Sequence, residues 1–131
     1  GALTLTRFKL SGGYATEGGA IFAHCADLTL VDCVFQANVA TNRSGGAVLA
    51  DGGALEIVAG EFLGNNASQY GGAVHAVNGN LVVHEGSRFE GNTAVGGGAL
   101  FCGSDALGPA TPEATCSIID AVFSSNSAAS E

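Results

Sequence analysis

Residues 45–67, GGAVLADGGALEIVAGEFLGNNA, decide the fold. The stretch opens on Gly-Gly-Ala with an aliphatic residue behind it and closes on Phe-x-x-Asn-x-Ala. Both phrases recur. Gly-Gly-Ala begins at Gly18, Gly45, Gly71 and Gly97, in steps of 27, 26 and 26 residues. Phe-x-x-Asn begins at Phe35, Phe62, Phe89 and Phe123, in steps of 27, 27 and 34. Two independent markers keep one period, which is the signature of a repeat array. Phe8-Lys9-Leu10-Ser11 is a degenerate first copy, with Ser11 in the place of the Asn.

Alignment of the copies separates each unit into columns. Ile21, Val48, Val74 and Leu100 share one column, and Ala23, Ala50, Ala76 and Cys102 share another two residues on. Between them lie Phe22, Leu49, His75 and Phe101. In a strand, alternate residues face opposite sides, so the first two columns point inward and the third outward. A second strand runs through Leu28-Thr29-Leu30, Leu55-Glu56-Ile57, Leu81-Val82-Val83 and Cys116-Ser117-Ile118, mostly with a polar middle residue. The Phe-x-x-Asn marker supplies the third. Its Asn residues, Asn38, Asn65, Asn92 and Asn126, suit a turn conformation and stack once per unit as a structural Asn ladder. Three short strands in 26–27 residues make one turn of a parallel β-helix, an all-β β-solenoid of about 4–5 turns. Right-handed winding is the default for parallel connections.

With 131 residues the chain fits one domain, residues 1–131, carrying an insertion loop at 103–115 that contains Asp105, Pro109 and Pro112. Gly is 21 residues, Pro 2, and the hydrophobic fraction 47%, which suits short strands and tight turns rather than disorder. The formal charge of −8 argues against nucleic acid and against docking on an anionic membrane surface. No apolar run is long enough to span a bilayer, so direct membrane insertion is not expected. Both ends fall inside a repeat without a capping element, so the reading is an interior slice of a longer chain, partnered by flanking solenoid turns.

The pairing of Gly-Gly-Ala-[Ile/Leu/Val] with Phe-x-x-Asn, from Phe8 to Asn126, resembles the repeat of the chlamydial polymorphic outer membrane proteins (Pmp-type), related in fold to the pectin-lyase-like β-helices. The resemblance implies a right-handed β-helix displayed at a cell surface, often in adhesion. Similar repeats occur in other bacterial and algal surface proteins.

Four cysteines allow three pairings. In a solenoid, Cys25 and Cys33 lie in one turn and Cys102 and Cys116 about three turns higher, roughly 14 Å away at about 4.8 Å per turn. Bridged Cα atoms stand within about 7 Å. The pairs left are Cys25–Cys33 and Cys102–Cys116, the second pinning the base of the insertion; the competing reading is four unpaired thiols. His24, Cys25 and Cys33 also fall close together, but without a C-x-x-C spacing or an evident fourth ligand they make a poor zinc site, and no metal or other cofactor is expected. His75 and His84 are read as isolated and solvated. Asn42-Arg43-Ser44 and Asn66-Ala67-Ser68 are sequons, making Asn42 and Asn66 candidate glycan acceptors in a eukaryotic secretory setting.

Many parallel β-helices act on polysaccharides, which requires paired carboxylates or an acid-lined calcium site. Here the acids do not stack: Asp32 aligns with Ala59, Glu61 with Val34, and Asp51 with His24. Glu56 and Glu85 could line a cleft only with an element from outside these residues. No catalytic residue is assigned. An ice-binding face would need a regular Thr column, and the outward column is irregular. Phe22, Leu49 and Phe101 instead form a candidate contact stripe, unless arms of the same chain cover it. The reading is a non-catalytic structural or adhesive solenoid of a cell-surface or extracellular protein, with surface proteins or glycans as partners. The alternative is a non-catalytic segment of a carbohydrate-active β-helix enzyme.

Overall fold

The computed structural model describes residues 2–103 and 115–129. The described residues form 19 β-strands in four parallel sheets and no helix. Sheet one holds Ala2–Thr6, Asp27–Val31, Leu55–Val58, Leu81–Val83 and Cys116–Ile118. Sheet two holds Lys9–Ser11, Val34–Gln36, Glu61–Leu63, Arg88–Glu90 and Val122–Ser124. Sheet three holds Tyr14–Ala15, Val39–Ala40, Asn66–Ala67, Thr93–Ala94 and Ser127–Ala128. Sheet four holds Ile21–His24, Val48–Asp51, Val74–Val77 and Leu100–Cys102. The chain visits the sheets in rotation, so each sheet gains one strand per circuit, giving a β-solenoid of about four turns.

Each turn has four strands, not the three expected from the sequence. A residue in the left-handed region divides the Phe-x-x-Asn-x-Ala marker: Gly12, Ala37, Gly64, Gly91 and Ser125, with φ of 70°, 55°, 62°, 67° and 54°. It turns the chain between the Phe strand and the two-residue strand that carries the Ala. Only three of these five are glycines, so the break is faint in the sequence.

Register follows the repeat except in the first copy, where Leu10, not Phe8, pairs with Phe35 and Ser11 pairs with Gln36, leaving Phe8 exposed. Phe35 pairs with Phe62 and Phe62 with Phe89, while Val48 pairs with Val74 and Ala50 with Ala76. The interior is one column of buried side chains: Leu28, Leu30, Phe35, Val48, Leu55, Ile57, Phe62, Val74, Leu81, Val83 and Phe89 are all at most 2% exposed. Phe35, Phe62, Phe89 and Phe123 stack face to face, with centroids 4.8, 4.7 and 4.8 Å apart and planes within 6°. The spacing is set by the backbone ladder, which keeps neighbouring strands about 4.7–4.9 Å apart. A smaller cluster, Ala40, Ala67 and Ala94, packs separately behind sheet three.

The Gly pair is a steric requirement. Gly45 sits at φ +69°, where any other residue is strained, and a Cβ there would overlap the Val48 carbonyl. Gly46 has no such φ, but its Cβ would overlap the Gly72 carbonyl of the next turn and the backbone of Asn66. The second glycine therefore allows the entry to sheet four to lie directly against sheet three.

The Asn ladder is continuous. Asn65 Nδ2 donates to Asn92 Oδ1 at 2.9 Å and to the Phe35 carbonyl at 3.1 Å. Its Oδ1 accepts from the Asn38 main-chain N–H and from Asn38 Nδ2, both at 3.0 Å. Asn92 repeats the pattern toward Phe62 and Asn126. Both hydrogens and both lone pairs of each interior amide are thus engaged at a site that is 0% exposed, the condition for burying such a group without a desolvation cost.

Candidate functional site

With the interior committed to packing, function falls to the outer surface. The outward column of sheet four is not the exposed strip expected. Phe22 is 48% exposed, but Leu49 is 5% and His75 1% exposed, and Phe101 is half-buried. The arcs between sheets three and four fold over the column. Tyr70, from one arc, lies 4.6 Å from the Phe101 ring and packs edge-on to His75. His75, expected in solvent, is enclosed against Phe101 and places Nε2 3.0 Å from the Gly103 carbonyl. The contact stripe of Phe22, Leu49 and Phe101 is therefore corrected to Phe22 alone as an open apolar residue, because the arcs are long enough to cover the rest.

Beside that cover lies a cavity of about 100 Å³, with Leu49 and His75 beneath Glu17, Arg43, Ser44 and Asp51. Arg43 and Glu17 form an ion pair across it at 3.8 Å. Ser44 is 2% exposed, and its hydroxyl has no hydrogen-bond partner among the described residues.

The corners that end the first three sheet-four strands carry a polar chain. Asp51 pairs in register with His24, and its Oδ2 stands 3.4 Å from His24 Nδ1. Its Oδ1 accepts from Asn78 Nδ2, one turn further, at 3.0 Å. On the far side of the His24 ring, Nε2 stands 3.6 Å from Cys25 Sγ. The sequence alignment of Asp51 with His24 signalled half of this arrangement. The sequence also set Cys25 near His24, but together with Cys33 and as a poor metal site; at φ +52° Cys25 breaks strand alternation and lies exposed beside His24, away from buried Cys33.

Cys25 and Cys33 are not bonded. Cys33 is 1% exposed and faces inward, its Sγ 3.4 Å from the Leu5 carbonyl and 3.5 Å from that of Val31. Sharing a turn placed the two cysteines at one level, but their side chains leave the backbone in opposite directions. Cys102 and Cys116 are joined, with Cα atoms 6.3 Å apart. They hold the base of the insertion, whose residues 104–114 lie outside the described residues.

No group of His, Cys, Asp and Glu among the described residues is arranged to hold a metal. At the His24 corner the reason is plain: the thiol and the carboxylate approach opposite ring nitrogens and cannot converge on one ion. His84 is paired rather than isolated, with Nε2 3.1 Å from Glu56 Oε1. Glu56 lies between Thr29 and Val82 in its sheet, so no second carboxylate stands next to it in register. The sequons differ in setting: Asn42 is exposed on an arc, while Asn66 is exposed on sheet three and donates from Nδ2 to Thr93 Oγ1.

The fold, with one Phe and one Asn stacked per circuit, defines a class: a parallel β-solenoid repeat protein. Residues 86–103 match the family model of the Chlamydia polymorphic membrane protein repeat. That stretch covers three of the four strands of a circuit, from the Phe89 strand through Asn92 and the Gly97-Gly98 pair into Leu100–Cys102, and the solenoid fits a Pmp-type repeat protein. No curated protein and no solved structure matches, and the comparison with pectin-lyase-like β-helices has no counterpart there.

Proposed function

We propose that the chain is a non-catalytic structural and adhesive solenoid of a cell-surface or extracellular protein. The observation that carries this reading is the Asn ladder: the buried amides are spent on joining turn to turn, which makes a stiff rod and leaves none of them for a ligand. A surface location is supported by the membrane-protein repeat to which residues 86–103 are similar. Among the described residues no helix is long and apolar enough to cross a membrane. In this reading the rod is carried outward, with surface proteins or glycans as its partners. Ile118, Val122 and Phe123, all more than 40% exposed along the last strands of sheets one and two, suit stacking against a further solenoid turn. In a eukaryotic secretory host, Asn42 and Asn66 would carry glycans, read out as a glycosidase-sensitive mass shift.

Protease treatment of intact cells tests the location. Removal of the solenoid under conditions that spare a cytoplasmic marker supports the reading, and full protection contradicts it. Beads coated with the purified protein test adhesion: retention on cells above albumin-coated beads supports it, and equal retention removes the adhesive half while leaving the scaffold.

A further inference from the structure

At the end of the first sheet-four strand, a nucleophile, a base and a carboxylate stand in line. Cys25 Sγ is 3.6 Å from His24 Nε2, and His24 Nδ1 is 3.4 Å from Asp51 Oδ2. In the tautomer that carries its proton on Nδ1, the ring turns its N–H toward the Asp51 carboxylate and its Nε2 lone pair toward the thiol. Asn78 fixes the other Asp51 oxygen at 3.0 Å. The backbone explains how neighbours in sequence come to share a face. At φ +52°, Cys25 leaves the strand alternation that would have sent its side chain inward, as Cys33 goes. The approach to sulfur is open: Gly52 occupies the equivalent corner of the next turn, and a Cβ there would lie 3.4 Å from Cys25 Sγ.

The remaining cysteines are differently placed. Cys33 is buried against two carbonyls, and Cys102 and Cys116 are bonded to each other. A thiol within hydrogen-bond reach of an imidazole, with a carboxylate against the other ring nitrogen, is the arrangement that activates a thiol for attack.

We propose that Cys25 is a reactive surface thiol, assisted by His24 and Asp51, that captures disulfide-bearing molecules by thiol–disulfide exchange. His24 Nε2 takes the thiol proton. The Cys25 sulfur attacks one sulfur of R–S–S–R, the partner's S–S bond breaks as the Cys25–S–S–R bond forms, and the departing thiolate takes the proton back from His24 as R–SH. One disulfide is exchanged for another, and no further oxidant enters. This gives the rod a covalent attachment point and stands independently of the adhesive reading. His24 touches the reacting sulfur; Asp51 acts through His24 as a positioning residue.

The test is the rate at which the folded protein reacts with dithiobis(nitrobenzoate), followed by release of the coloured thiolate. One fast equivalent is expected, absent in Cys25→Ser. The thiolate is the attacking species, and an unassisted thiol is a few per cent thiolate at about pH 7, which bounds the gain from a neighbouring base. The expected loss in His24→Gln at neutral pH is therefore about tenfold. Added imidazole should restore part of the rate in His24→Ala, a response that a merely structural role would not show. Asp51→Ala should slow the reaction and change the shape of its pH profile, with circular dichroism unaltered. Parallel incubations with glutathione disulfide and with oxidised thioredoxin, read by intact mass, separate small from protein disulfides; an adduct with either supports the proposal. It is overturned if Cys25→Ser keeps the fast phase, if His24→Gln and His24→Ala react at the wild-type rate, or if neither disulfide forms an adduct.

Discussion

Replacement of Asn65 by Ala removes four hydrogen bonds from the centre of the ladder. Two of the lost partners belong to Asn38, its main-chain N–H and one Nδ2 hydrogen, in a residue that is 0% exposed. A buried donor left without an acceptor costs about 1–3 kcal/mol, so the two together cost about 2–6 kcal/mol. Water admitted to the polar void would hold the loss near the lower figure. Asn65→Asp should be worse, despite its near-identical shape. It sets an acceptor oxygen where Nδ2 now lies, 2.9 Å from Asn92 Oδ1 and 3.1 Å from the Phe35 carbonyl. Asn66→Ala, an exposed neighbour, is the control and should stay within about 0.5 kcal/mol. Urea unfolding followed by circular dichroism gives the global loss. Because solenoids can open turn by turn, hydrogen exchange at the Asn38 amide gives the local one, and that amide should lose protection in both ladder variants. If Asn65→Ala destabilises no more than Asn66→Ala and Asn38 stays protected, the ladder does not lock the turns.

Three further outcomes follow from the same geometry. Gly46→Ala drives a Cβ into backbone on two sides and should cost about 3 kcal/mol or more, whereas Gly64→Ala, with nothing within 4 Å, should cost only the left-handed penalty of about 1–2 kcal/mol; paired urea titrations separate them. Phe62→Ala opens a hole between two stacked rings in a fully buried column and should cost about 3–5 kcal/mol by the same measurement. Reduction of Cys102–Cys116, or Cys102→Ser, frees a loop of sequence separation 14 and should cost about 3 kcal/mol on the chain-entropy account, seen as a lower melting temperature in reductant.

The period of 26–27 residues was enough to stack Phe on Phe and Asn on Asn, because parallel pairing leaves one register that keeps every apolar residue inside. The four-strand circuit was less legible, since Ala37 and Ser125 adopt a glycine-like conformation that their identities do not announce. The outer surface was least legible. Strand alternation correctly turns Leu49 and His75 away from the central column, but exposure depends on what else lies outside, and the covering arcs have no periodic signature. The cysteines show the same limit. Turn number constrains which two can meet, whereas side-chain direction at a corner depends on φ, which separates Cys25 from Cys33 and brings Cys25 to His24.

The central claim, that residues one period apart are neighbours in space, is tested most directly by a NOESY spectrum of the isotope-labelled protein. Cross-peaks are expected between the rings of Phe35, Phe62 and Phe89 in succession, and between the Asn38 amide proton and the Asn65 side-chain amide. Well-dispersed spectra that lack these contacts, or that connect the rings in a shifted register, would contradict it.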